Sequence, residues 1–72
     1  MDSFNVNIGK NIRDLRENHG YTREKLAELT GICDKYIYEI EVGKKGLSAK
    51  KLHIISAVFN VSMDFFVLEG AK

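Results

Sequence analysis

Thr22-Arg23-Glu24-Lys25-Leu26-Ala27-Glu28-Leu29-Thr30-Gly31-Ile32-Cys33-Asp34-Lys35-Tyr36-Ile37-Tyr38-Glu39-Ile40-Glu41-Val42-Gly43-Lys44-Lys45 reads as two short helices and the tight turn between them. Thr22 offers a hydroxyl as N-cap, and Glu24 in the first turn suits the positive end of the helix dipole. The helix so opened runs from about Arg23 to Leu29, with Leu26, Ala27 and Leu29 apolar, and Gly31 stops it. The next helix spans about Asp34 to Val42, turns Ile37, Ile40 and the stem of Glu41 inward, and ends at Gly43. The turn is demanding. Ala27 must be small where the second helix crosses, Gly31 supplies the backbone conformation, and Ile32 plugs the angle between the helices. Ile37 and Ile40 then anchor the second helix, leaving Asp34, Lys35, Tyr38 and Glu39 facing out.

The flanking segments carry the same period. Ile8, Ile12, Leu15 and His19 fall on one face of a helix from about Asn5 to His19, with Lys10, Arg13, Asp14 and Glu17 elsewhere. Gly9 sits inside that run, where glycine is tolerated at some cost. After a loop from Lys44 to Leu47, Ser48 caps a fourth helix bearing Leu52, Ile55, Ser56 and Phe59, and Asn60 closes it. Ser62 caps a last short helix, about Met63 to Leu68, with Phe66 and Val67 apolar. Gly20, Gly31, Gly43 and Gly46 follow segments of helical period and are expected at positive φ. The β-branched residues keep helical rather than alternating spacing, so the expectation is all-α: a compact five-helix bundle without a sheet.

Composition narrows the function. Seventy-two residues make a single domain, 1–72. Eleven Lys+Arg against ten Asp+Glu argue against a polybasic protein that holds nucleic acid by charge alone. A hydrophobic content of 44% with 29% charged residues marks a globular chain. One cysteine cannot staple a fold, which favours a reducing, cytoplasmic setting. His19, Cys33 and His53 are too scattered for a metal site. Apolar runs are too short to span a membrane, and Met1-Asp2-Ser3-Phe4-Asn5 lacks the features of a signal peptide. No nucleophile–base set, phosphate loop or pair of carboxylates suited to a cleft is visible, so neither an enzyme nor a cofactor or small-molecule site is expected. A chain this short buries only about 60% of its unfolded surface, so it must rely on well-packed helices, with a partner subunit as a further source of burial.

Several segments carry a resemblance. Thr22 to Ile32 resembles the "S-Q-x-x-L-A-x-x-x-G-V" segment of the lambda-repressor/Cro-like (XRE) helix-turn-helix family, and Tyr36 to Lys44 resembles its "Y-I-x-x-I-E-x-G-K" recognition helix and exit. Ile12-Arg13-Asp14-Leu15-Arg16 is similar to its first helix, and Val61-Ser62-Met63-Asp64-Phe65-Phe66 to its "V-S-x-D-x-L" closing turn. The similarity covers about residues 8–68, with the helix-turn-helix at about 22–43. It implies a bacterial or phage DNA-binding domain, commonly dimeric, that reads double-stranded DNA in the major groove. It also implies a buried ion pair between Arg16 and Glu41, and both residues lie beside apolar stripes.

By the same resemblance, the start of the recognition helix meets base edges. Lys35 can donate to guanine, while Asp34 and Glu39 can accept from the cytosine amino group. Asp34 equally suits the helix dipole, and Glu39 is repelled by phosphate unless it finds that amino group. Arg23 stands where the family has a glutamine that braces a phosphate. Tyr36 is expected half-buried against the first helices. Tyr38 is expected exposed, within reach of a thymine methyl, and Lys44 and Lys45 at the DNA backbone. The chain departs from the pattern at Val42, Cys33 and Leu47, where the family has a polar phosphate contact, a hydroxyl cap and proline. Cys33 is expected to be a poor cap and a small, partly buried hydrophobe. His19 is read as a core or helix-end residue and His53 as surface.

Ile54, Val58, Met63 and Phe65 lie off the stripe of Leu52, Ile55, Phe59 and Phe66. They are read as a homodimer interface, or as completing a wider core. A two-fold dimer sets two recognition helices about 34 Å apart, which calls for a palindromic operator. The expected function is therefore a sequence-specific transcriptional regulator, a repressor. The alternative is a protein–protein adaptor or antitoxin-like module on the same scaffold, which the acidic recognition helix favours and the lysines at 44, 45, 50 and 51 oppose.

Overall fold

Each helical period becomes a helix because one face can be buried and because the ends are capped. In the computed structural model, which describes residues 3–67 (at Ser3 and Val67 the backbone alone), the order is α1 Ser3–Asn18, α2 Arg23–Thr30, α3 Asp34–Glu41, α4 Ala49–Phe59 and α5 Asp64–Val67. Leu68, the expected last residue of the fifth helix, lies outside the described residues. Thr22 Oγ1 accepts from the Lys25 N–H at 3.0 Å to open α2, and Ser48 Oγ accepts from the Lys51 N–H at 3.1 Å to open α4. Gly31, at φ 75°, closes α2 by donating its N–H to the Ala27 carbonyl. Asn60 closes α4 at φ 56°, a conformation asparagine accepts more readily than most residues. Ser62 serves α5 through its backbone, its carbonyl accepting from the Phe65 N–H at 3.1 Å.

The stripes converge on one core. Ile8 and Ile12 of α1, Leu26 of α2, Ile32 of the turn, Ile37 and Ile40 of α3, Leu52, Ile55 and Phe59 of α4, and Phe66 of α5 are buried together. Burying each such side chain fully is worth about 1.5–3 kcal/mol. The first helix is the organising element, packing against α3 and α5, while α2 packs against α3 and α4. Asn11, buried in α1, donates from Nδ2 to the Phe66 carbonyl at 3.0 Å and ties α1 to α5. Among the described residues, every buried side-chain nitrogen and oxygen has a partner.

Two positions, Gly9 and Gly46, depart from the sequence expectation, and at two more, Leu29 and His19, the structure decides what the sequence left open, His19 taking the helix-end alternative. Gly9 is not merely tolerated. It is buried, and a Cβ there would overlap the Ile40 carbonyl oxygen, so its missing side chain is what lets α1 approach α3. Gly46 lacks the positive φ found at Gly20, Gly31 and Gly43; its constraint is the Asn5 side chain, 3.2 Å from where a Cβ would stand. Leu29, apolar but on the outer side of α2, is exposed. His19 leaves the core stripe just beyond α1. It is exposed, donates from Nδ1 to the Leu15 carbonyl at 2.9 Å, and rests its ring 5.0 Å from Phe59 and 5.5 Å from Tyr21. His53 is exposed, as expected.

Candidate nucleic-acid interface

The outward face of α3 exists because its inward face is fixed. Ile37 and Ile40 lock the helix into the core, and Glu41 adds a polar anchor on the same side. The Glu41 side chain is 1% exposed. Its Oε2 accepts from Arg16 Nε at 2.7 Å and its Oε1 from Arg16 Nη2 at 3.2 Å, a two-point contact between α1 and α3. Arg16 also donates from Nη1 to the Tyr21 carbonyl at 2.8 Å. The hydrogen bond that Arg16 donates to Glu41 holds the Arg16 guanidinium above its ordinary pKa, outweighing the opposing effect of burial. The ion pair implied by the resemblance is therefore present.

A third contact was not legible in the sequence. Arg23, at the start of α2, donates from Nε to Glu41 Oε1 at 3.1 Å, and its guanidinium carbon lies 5.0 Å from the centre of the Tyr38 ring. The residue expected to brace a phosphate is thus turned, at least in part, toward α3. Nothing in the spacing of residues 23, 38 and 41 signals this, because the turn at Gly31 decides how the two helices face each other.

The rest of the face follows. Asp34 and Lys35 are exposed in the first turn of α3, and Tyr38 is 46% exposed one turn on. With Arg23 and Glu24 they line an open groove of about 320 Å³ that mixes two cations, two carboxylates and one aromatic ring. Glu39 is half-buried, and its backbone carbonyl accepts from the N–H groups of Lys44 at 2.8 Å and Lys45 at 3.2 Å. That carbonyl folds the exit loop back on α3 and leaves both lysines exposed beside it. Cys33 corrects its expectation. It is exposed, and its Sγ accepts from the Tyr36 N–H at 3.4 Å, so the thiol occupies the position of a hydroxyl cap. Tyr36 is half-buried, donates its hydroxyl to the Gly46 carbonyl at 3.1 Å, and carries Lys51 Nζ 4.9 Å above its ring.

Ile54, Val58, Met63 and Phe65 are all half-buried, and the last three also pack against the core. The two sequence readings of these residues are thus not exclusive, since one side of each of the three is used inside the domain. Phe65 meets Phe66 edge-to-face at 5.5 Å and lines a groove of about 240 Å³ with Asn11, Asp14, Leu15, Glu17 and Asn18. Among the described residues no cluster of metal-ligating side chains occurs, and no helix is long and apolar enough to cross a membrane.

The model of the helix-turn-helix family HTH_3 matches residues 12–66, which include every element just described except the first turns of α1 and the last residue of α5. The chain belongs to this helix-turn-helix family. An uncharacterised HTH-type transcriptional regulator of Sinorhizobium medicae is 36% identical over 63 residues, 88% of this chain and 45% of that protein. Antitoxin PezA of Streptococcus pneumoniae is 38% identical over 55 residues, 76% of this chain and 35% of the antitoxin. This helix-turn-helix chain therefore spans less than half the length of either relative. Among solved structures, the restriction-modification controller protein C.AhdI of Aeromonas hydrophila superposes with a TM-score of 0.85 at 23% identity, over 90% of this chain and 98% of that one. That likeness shows the fold.

Proposed function

We propose that this helix-turn-helix protein is a sequence-specific DNA-binding transcriptional regulator, a repressor that inserts α3 into the major groove of a palindromic operator and acts by occupancy, without enzymatic activity. The observation that carries the reading is the two-sidedness of α3. Its inner face is held by Ile37, Ile40 and the Arg16–Glu41 pair, while Asp34 and Lys35 stand exposed at its start and Tyr38 one turn on. A helix presented this way, N-terminal end outward, matches the docking geometry of the motif. In this reading Lys35 donates to guanine, Asp34 and Glu39 accept from cytosine, and Tyr38 meets an apolar base edge. Lys44 and Lys45 approach phosphates, and Arg23 adds charge beside them. The domain, 1–72, works in the cytoplasm as a homodimer joined through Ile54, Val58, Met63 and Phe65, which spaces two copies of α3 about one turn of DNA apart.

Selection of bound duplexes from a random pool tests this. The wild type should enrich a palindrome, with binding that falls steeply as salt rises. Lys35→Ala should relax preference at one position per half-site, at a cost of about 1–3 kcal/mol. Uniform weakening at all positions would reduce Lys35 to a backbone contact.

A second reading is an adaptor or antitoxin-like module that binds another protein with the same helices. The carboxylates of Asp34 and Glu39 on α3 favour it, as does the similarity to Antitoxin PezA. Absence of any duplex binding at low salt would decide for it.

A further inference from the structure

We propose that Arg23 is a positioning residue that sets base preference through Tyr38, holding the tyrosine ring as a fixed apolar plate against the methyl group of a thymine. This rests on the DNA-binding reading above. Tyr38 and Glu41 are three residues apart on α3 and so share one face, the face turned to the start of α2. Arg23 meets both of them. Its Nε is hydrogen-bonded to Glu41 Oε1 at 3.1 Å, and its guanidinium carbon stands 5.0 Å from the Tyr38 ring centre. Glu41 cannot yield, because its side chain is 1% exposed and Arg16 grips both of its oxygens. A chain of contacts thus runs from a buried pair on α1, through Arg23, to a ring that is 46% exposed on the face offered to DNA. An exposed tyrosine on a helix ordinarily exchanges rotamers on a fast timescale. This one has a cation over one face, so its free face and edge are held ready for a base.

Apolar contact with the thymine methyl is the readout that suits such a plate, since that methyl marks one base pair in the major groove. A phosphate brace, the competing role for Arg23, carries no sequence information. The two roles predict different measurements. Deoxyuridine lacks only the 5-methyl group, so replacing each thymine of a selected duplex in turn isolates the contact.

The test measures binding of the full chain to the selected duplex and its deoxyuridine series at two salt concentrations, for the wild type, Arg23→Gln, Tyr38→Ala and the double variant. The wild type should lose about fourfold at one thymine per half-site, the worth of one buried methyl group, about 0.8 kcal/mol. Both single variants should lose that discrimination, and the double variant should lose no more than either. Retained discrimination in Arg23→Gln or in Tyr38→Ala overturns the proposal. So does Arg23→Gln weakening every duplex equally with a shallower salt dependence, which would mark a phosphate brace. A wild type that selects duplexes but is indifferent to every thymine methyl also overturns it, while leaving the DNA reading standing. A wild type that selects no duplex brings down both. Arg23→Gln keeps the Arg16–Glu41 pair, and Tyr38→Ala alters an exposed side chain, so the two variants test the idea independently of any loss of folding in one of them.

Discussion

Glu41→Ala removes a carboxylate that is 1% exposed and accepts hydrogen bonds from Arg16 Nε, Arg16 Nη2 and Arg23 Nε. Arg16, whose side chain is 9% exposed, is then left as an uncompensated charge between α1 and α3. Breaking a buried pair by removing one partner costs about 3–5 kcal/mol. Arg16 keeps the Tyr21 carbonyl at 2.8 Å and has Glu17 at 3.8 Å, which places the cost near the lower figure, about 3 kcal/mol. A domain of this size has about 4–11 kcal/mol of stability in all. At about 4–8 °C for each kcal/mol, melting should fall by about 12–24 °C. Circular dichroism melts and urea titrations measure it directly. Because Glu41 raises the Arg16 pKa, this stabilisation is fully present below the ordinary arginine value. It fades only as pH rises through a still higher one, so the Glu41→Ala deficit should persist at mildly alkaline pH. Arg23→Ala is the internal comparison. Its side chain is 37% exposed and screened by water, so its loss should cost no more than about 1 kcal/mol. A Glu41→Ala melting curve within about 3 °C of the wild type would refute the claim that this cluster is what fixes α3, given the expected scale of the shift.

Other outcomes follow from single positions. Gly9→Ala should destabilise by about 3 kcal/mol, read from the urea midpoint, because the new Cβ meets the Ile40 and Glu41 backbone and no side chain can move aside. A gain in stability, as helix propensity alone would give, would show that α1 and α3 do not approach there. Cys33→Ser should raise stability by about 0.5–1 kcal/mol, since a hydroxyl accepts from the Tyr36 N–H better than a thiol at 3.4 Å. No change would mean the cap contributes little. Ile54→Glu alters a half-buried residue outside the packed core, so the helical spectrum should survive while sedimentation shifts toward the monomer mass. A wild type that stays monomeric at every concentration would remove the dimer.

Much of the fold is visible in one dimension because the forces that set it are local. The apolar spacing of α1 and α4, the hydroxyl caps at Thr22 and Ser48, and the stops at Gly31 and Asn60 act within a turn or two of the chain, and the structure keeps them, His19 at the end of the α1 stripe excepted. The Arg16–Glu41 pair was legible for a different reason. The family resemblance implied it, and the positions of both residues beside apolar stripes agreed, but no local pattern in the chain pairs residue 16 with residue 41.

What the tertiary structure alone decided depends on how two helices face each other across a turn. The glycine at position 9 looks like a flaw in a helix until α3 is laid against it. Cys33 is exposed in the turn between α2 and α3, and the Glu39 carbonyl is taken up by the exit loop through Lys44 and Lys45. The contact of Arg23 with Glu41 and Tyr38 spans 18 and 15 positions. No helical period links residues that far apart, and any of several surface partners would have satisfied an arginine at the start of α2. Local propensity and patterning settle which segments are helices and which faces are buried. The angle of packing, which depends on side-chain volumes from every element at once, settles which charges meet and which ring Arg23 covers.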